Sequence, residues 1–118
     1  MIFTPPPEIE FLERGFDISQ EHDPDEAIIS YAFAYKDGSE LKVTFTIGSI
    51  PSVHVSLSQS SRLVAEVTVE NIIDVSFQSW SGERNLRMSF KENHASTDLR
   101  VHYEPQASIH MASLATGA

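Results

Sequence analysis

The sequence predicts a mainly β fold of the α+β class: an antiparallel sheet of about seven or eight strands, a half-barrel or sandwich, with one short N-terminal helix. Three observations predict it. From Ala27 onward apolar residues recur at every second position, the period of strands with one buried and one wet face. The alternating runs return at roughly ten-residue spacing and are separated by Gly, Pro, Ser and Asn. The single helix-like stretch precedes them all. At 118 residues the chain reads as a single domain over 1–118, with an acidic N-terminal helix and arm (1–26), an antiparallel body (27–114) and a tail (115–118).

The elements follow in order. Thr4-Pro5-Pro6-Pro7 followed by Glu8-Ile9-Glu10-Phe11-Leu12-Glu13-Arg14-Gly15 reads as one short helix. Proline suits a first turn, acids suit the positive end of the dipole, and Gly15 is a stop. Two turns of helix are too few to stand alone, so it must dock on the body. Ile9, Leu12 and Phe16 are the expected docking residues, with Phe11 as the alternative. The strand runs are then Ile29/Tyr31/Phe33/Tyr35, Leu41/Val43/Phe45/Ile47, Val53/Val55/Leu57, Leu63/Ala65/Val67/Val69, Ile73/Val75/Phe77, Leu86/Met88/Phe90, Leu99/Val101/Tyr103 and Ile109/Met111.

Two hairpins allow a register to be worked out. With Lys36-Asp37-Gly38 as a three-residue loop and Gly38 left-handed, Tyr35 opposes Ser39, and Phe33, Tyr31 and Ile29 oppose Leu41, Val43 and Phe45. A two-residue loop would set Phe33 against Lys42, and a one-residue slip flips the face. In the C-terminal hairpin, keeping the apolar residues on one face pairs Tyr103 with Ile109 and Val101 with Met111. His102 then lies opposite His110, and Arg100 opposite Ala112.

Composition narrows the function. Seventeen acids against eight bases give a net charge of −9, which argues against nucleic-acid binding, since phosphate affinity needs clustered Lys and Arg. Without cysteine there is no disulfide framework, thiol catalysis or cysteine-held metal. No run approaches the ~18 apolar residues of a membrane span. The start of the chain has neither the basic nor the apolar region of a signal peptide, so a cytoplasmic location is expected. Residues 1–26 hold eight acids (Glu8, Glu10, Glu13, Asp17, Glu21, Asp23, Asp25, Glu26) and one base, net −7, while 27–118 hold nine acids and seven bases, net −2. Such asymmetry marks either a surface for a positive partner or a solvated arm.

His102 and His110 are the candidate metal ligands, cross-strand neighbours with Glu104 or His54 as a third; surface histidines without metal are the plainer reading. His22-Asp23-Pro24-Asp25-Glu26 lacks the glycine and distant glutamate of a calcium loop and reads as a linker or an acidic recognition edge. Ser58, Ser60 and Ser61 lie in no nucleophile elbow, and the register unites no serine, histidine and acid. No phosphate loop is present, and no cofactor is implied. Trp80, beside a turn, is either a binding anchor or a cap on the core. Arg84, Arg87, Lys91 and Arg100 could bind the N-terminal arm within the chain or present a second patch to a partner; structural pairing is the preferred reading.

The segment Arg62–Phe77 (strand, Asn71 corner, strand), with Leu99-Arg100-Val101-His102-Tyr103 and Ser108-Ile109-His110-Met111-Ala112, resembles the strand layout of small bacterial immunity proteins of polymorphic and contact-dependent growth inhibition toxin systems. The resemblance covers less than half of the chain and leaves the N-terminal segment unmatched. It implies tight, non-catalytic binding of a cognate toxin, often a nuclease with a basic groove. The implied partner is therefore a basic toxin domain, not nucleic acid or membrane, with the acids of 8–26 steering association and Trp80 or Phe16 anchoring it. The residues themselves leave other classes open: a small-ligand or metal-binding β protein, a small hydrolase or isomerase, or a homo-oligomeric (dimeric included) structural component meeting through an edge strand such as Ser52–Ser58.

Overall fold

The computed structural model describes residues 3–92 and 95–115; the expected tail lies, beyond Ala115, outside the described residues. The order is α1 (Glu8–Glu13), β1 (Asp17–Ile18), a 3-10 turn (Pro24–Glu26), β2 (Ile28–Ala34), β3 (Ser39–Thr46), β4 (Ser52–Gln59), β5 (Arg62–Glu70), β6 (Ile72–Trp80), β7 (Glu83–Glu92), β8 (Ala95–Glu104) and β9 (Ser108–Ala115). The fold is mainly β and antiparallel with one short N-terminal helix, as expected. The strands belong to two sheets, β1-β2-β3-β4-β5 and β6-β7-β8-β9. The chain forms two compact units, one ending at Glu70 and one beginning at Asn71. Asn71 is left-handed, φ 63°, so the Asn corner is where the chain leaves one sheet and starts the next; Asn tolerates that conformation better than most residues.

In the first unit the β2–β3 hairpin has the expected register, Ile29↔Phe45, Tyr31↔Val43 and Phe33↔Leu41. Gly38 is left-handed at φ 87°, its N–H donates to Tyr35 O at 3.1 Å, and Tyr35 N–H donates to Ser39 O at 2.9 Å. The Asp37 carboxylate accepts from the Ser39 hydroxyl and N–H, which holds its pKa below the usual carboxylate range. β4 lies between β3 and β5, so Ser52–Ser58 is an interior strand and not an available edge, contrary to the oligomer expectation. Alternation alone does not tell an edge from a centre when both carry serines on the wet face.

The N-terminal segment is docked, but through a different face. Phe11 and Phe16 are buried, whereas Ile9 is 58% exposed and Leu12 38%. Phe11 stacks on Tyr31 at 4.0 Å between centroids, meets Phe16 edge-on at 5.5 Å and approaches Phe45 at 6.2 Å. Six helical residues with three apolar side chains carry no decisive stripe, and the aromatic with most area to bury sets the rotation. The prolines stay outside the helix, Pro7 being extended at φ −58°, ψ 149°. Gly15 ends it, φ 98°, in a Schellman closure: Phe16 N–H donates to Phe11 O at 3.1 Å and Gly15 N–H to Leu12 O at 3.2 Å. A Cβ at Gly15 would stand 3.1 Å from a Phe33 ring carbon. Phe16 leads into β1, a strand absent from the sequence reading, where Asp17 pairs Ala32 and Ile18 pairs Tyr31.

In the second unit Leu86, Met88, Phe90, Leu99, Val101 and Tyr103 make the buried face. Two expectations are corrected. Ile72 is buried and Ile73 exposed, because the register shifts between Ile72 and Asp74 and the bulge turns Ile73 outward. In the C-terminal hairpin Val101 pairs Ile109, Leu99 pairs Met111, Arg100 pairs His110 and His102 pairs Ser108. The shift is two residues, which leaves every side chain on its expected face; hydrophobic parity is blind to a slip of two.

Replacing Phe11 by alanine is expected to cost about 3–5 kcal/mol in urea unfolding, whereas Ile9→Ala stays within about 0.5 kcal/mol. Equal losses would place the helix on its other face.

Candidate protein-binding surface

The acids of residues 1–26 all belong to the first unit, which holds twelve acids and four bases, net −8, against five and four, net −1, in the second. Glu8, Glu13, Asp17, Glu21, Asp23, Asp25 and Glu26 are exposed and Glu10 is half-buried. They are presented from fixed backbone, not from a solvated arm. On α1, Glu8 and Glu13 flank the outward Ile9 and Leu12. The loop that leads to β2 is closed by paired bonds between Asp23 and Ile28, 2.8 and 3.0 Å. The 3-10 turn between them ends at Ala27, left-handed at φ 60°, and exposes Asp25 and Glu26.

His22 ties loop to helix, a role the sequence reading did not find. Its Nδ1 accepts the Ser30 N–H at 3.0 Å, which leaves the proton on Nε2, 3.7 Å from the Glu8 carboxylate. Beneath it Tyr31 is buried, and burial together with the Glu8 charge pushes its phenol up to about 12.

A second acidic group surrounds a depression of about 300 Å³ lined by Asp17, Ile18, Ser19, Gln20, Ala32, Ala34, Glu40 and Lys42. The small Ala32 and Ala34 leave the hollow; Lys42 and Glu40 are their partners on β3. Lys42 Nζ donates to Glu21 at 2.8 Å and the Ser19 hydroxyl donates to its other oxygen. These two bonds hold the Glu21 carboxyl down, to about 2. Glu21 is thus partly committed within the chain, and the register alone shows that Lys42 is near the arm.

Trp80 stands in the second unit at the end of β6, paired with Glu83 across a turn in which Ser81 and Gly82 are both left-handed, φ 53° and 78°. It is 62% exposed, so it does not cap the core. Phe16 is buried and cannot anchor a partner. The expected pairing of bases with the N-terminal arm is not what Arg84 and Arg87 do: Arg87 binds Asp98 at 2.7 Å and Arg84 faces Glu104 at 3.8 Å, both within the second unit.

His102 and His110 meet although not directly opposite, their rings edge to face at 5.1 Å. Among the described residues no group of three or more His, Cys, Asp or Glu is placed to hold a metal ion. His54 is engaged elsewhere, 2.7 Å from Thr68 Oγ1 and 3.3 Å from Glu66. That Thr68–His54–Glu66 row has the order of a catalytic triad, which the register reading missed by considering serines. Its members are strand neighbours on the polar face of β4 and β5. Ser60 and Ser61 form the β4–β5 turn, φ 52° and 65°.

The architecture is that of a small antiparallel β protein with a docked N-terminal segment and an acidic face. It is similar to a chain of the contact-dependent growth inhibition toxin–immunity protein complex from Klebsiella pneumoniae 342, with TM-score 0.78 and 14% identity over 92% of this chain and 95% of that one. At that identity the likeness is one of fold. No family model and no curated protein matches the sequence. Among the described residues no helix is long and apolar enough to cross a membrane.

The depressed Glu21 pKa makes the ionised carboxylate the stabilising form, so its contribution is present above pH ~4.5 and lost as pH falls through about 2. Glu21→Gln should therefore lower stability at pH 7, modestly because the pair is solvent-screened. The gap to the unaltered protein should close between pH ~4.5 and ~2 in thermal melts; a gap independent of pH would refute the ionic tie.

Proposed function

We propose that this chain is an immunity protein, a non-catalytic inhibitor that neutralises a cognate toxin domain by binding it. The observation that carries the proposal is the fold shared with a chain of a toxin–immunity complex. The charge distribution supports the inhibitor's side of such a pair. A nuclease toxin holds phosphate in a basic groove, and a first unit of net −8 is electrostatically complementary to it. In this reading the protein acts in the cytoplasm, where a toxin's substrate and its inhibitor compete for one groove.

The surface divides the work. Asp23, Asp25 and Glu26, exposed on the closed loop, steer association. Ile9 and Leu12, outward on α1 between Glu8 and Glu13, offer an apolar centre with an acidic rim, the arrangement in which truncation costs most. Trp80, on the other unit, is an exposed aromatic of the kind that anchors interfaces.

The test begins with purification from the native host in low and high salt. A stoichiometric basic partner, toxic when expressed alone and harmless when this chain is co-expressed, is the expected result; persistent toxicity would reject the proposal. With that partner, Asp23→Asn/Asp25→Asn/Glu26→Asn should slow association several-fold at low salt and little at high salt. Ile9→Ala/Leu12→Ala should speed dissociation by roughly ten- to a hundredfold. Equal loss of association rate at both salts would remove steering from those three acids.

A further inference from the structure

The second unit, nearly neutral overall, carries a concentrated positive centre on the polar face of its sheet. Asp98, Arg100 and His102 are alternate residues of β8, and Arg100 has Arg87 of β7 as its partner on one side and His110 of β9 on the other. A depression of about 460 Å³ lies there, lined by Asp98, Arg100, His102, His110 and Met111.

The carboxylate within it is already committed. Asp98 Oδ2 accepts from Arg87 Nε at 3.1 Å and Nη2 at 2.7 Å, and Oδ1 accepts from the Ser89 hydroxyl at 3.2 Å. Glu104, further along β8, faces Arg84. Asp74, on β6, has the neutral Ser89 between it and β8 in the register. Arg100 is exposed and has no carboxylate partner among the described residues. Its guanidinium therefore adds an uncompensated charge beside two imidazoles. Those rings stand edge to face at 5.1 Å, so their nitrogens do not share one plane, and His110 Nε2 lies 3.2 Å from the Ser108 hydroxyl. The group that suits such a set is a tetrahedral oxyanion, which takes a planar fork on one edge and single donors from other directions. A metal ion does not suit it: among the described residues no third ligand joins the two imidazoles, and Arg100, directly opposite His110, sets a cation beside them.

We infer that this face binds a phosphoryl oxyanion, held by Arg100 with His102 and His110 as flanking donors. The hollow is larger than a bare phosphate fills, and the exposed Met111 gives it an apolar side. Free phosphate and the phosphate of a small nucleotide are both sources of this chemistry. The inference concerns the second unit and stands whether or not the first unit binds a toxin.

The test follows the imidazole proton–carbon resonances of His102 and His110 in the full-length protein. Inorganic phosphate, adenosine 5′-monophosphate, sodium acetate and sodium chloride are added at matched ionic strength and constant pH. Phosphate and the nucleotide should shift both rings saturably, and acetate and chloride should not. Tighter binding of the nucleotide with movement of the Met111 methyl resonance identifies a nucleotide as the source; equal affinities identify free phosphate. Arg100→Gln should weaken binding roughly tenfold or more, the effect of losing a hydrogen-bonded charge, while the rest of its spectrum stays unchanged. Arg100→Lys should retain intermediate affinity. Absence of a saturable shift, equal shifts with acetate, or unaltered affinity in Arg100→Gln would each overturn the inference.

Discussion

The stack of Phe11 on Tyr31 is the contact on which the first unit's surface depends. Burying that ring sets the rotation of a helix with only six residues, and the rotation decides everything else α1 presents. Because Phe11 faces the sheet, Ile9 and Leu12 face water and Glu8 comes within reach of His22. Because Tyr31 is the platform, the helix is registered against the β2–β3 hairpin, whose own register rests on Gly38. A local glycine conformation, a cross-strand register, an aromatic stack and an acidic face therefore form one causal line. Its origin is covalent and local: only a residue without a Cβ takes φ 87° at little cost.

What could be read from sequence follows that line unevenly. The β2–β3 pairing was legible because Asp37-Gly38 marks the turn and only one loop length matches Phe33 with Leu41. The C-terminal hairpin had no such marker, and Leu99, Val101, Tyr103, Ile109 and Met111 fit two registers equally well on the same face. The helix was legible as an element, yet its buried side was not, since Ile9 and Leu12 share one side of so short a cylinder and Phe11 claims another. Ile73 was misassigned because a bulge breaks period two without a compositional sign. The acidic residues could be named but not how they stand. Their presentation depends on contacts such as Lys42 with Glu21 and Ser30 with His22, which join residues 21 and 8 positions apart. The His102–His110 meeting survived a wrong register, because diagonal neighbours across antiparallel strands still lie within reach of two rings.

The two units show two ways of handling charge on an antiparallel sheet. In the first, acids outnumber bases three to one, and internal ties such as Glu21 with Lys42, Glu8 beside His22 and Glu66 beside His54 leave most carboxylates facing solvent. In the second, Asp98 and Glu104 are each drawn to an arginine and little net charge remains, yet Arg100 is left without a carboxylate partner among the described residues. Net charge alone describes the first arrangement well and hides the second. A fold shared at 14% identity sits easily with both, because the constraint of period two acts on the buried face and leaves the polar face free to vary.

The β4–β5 turn depends on its surroundings in a way the β2–β3 turn does not. Ser60 and Ser61 both adopt left-handed backbone, where Asn-Gly is the usual choice, and a turn of two serines has little tendency to form by itself. The turn is therefore closed by the strands it connects, with Ser60 N–H reaching the Gly38 carbonyl at 3.4 Å. The Asp37-Gly38 turn carries its own left-handed glycine, whereas the Ser60-Ser61 turn is held in place by the strands on either side of it.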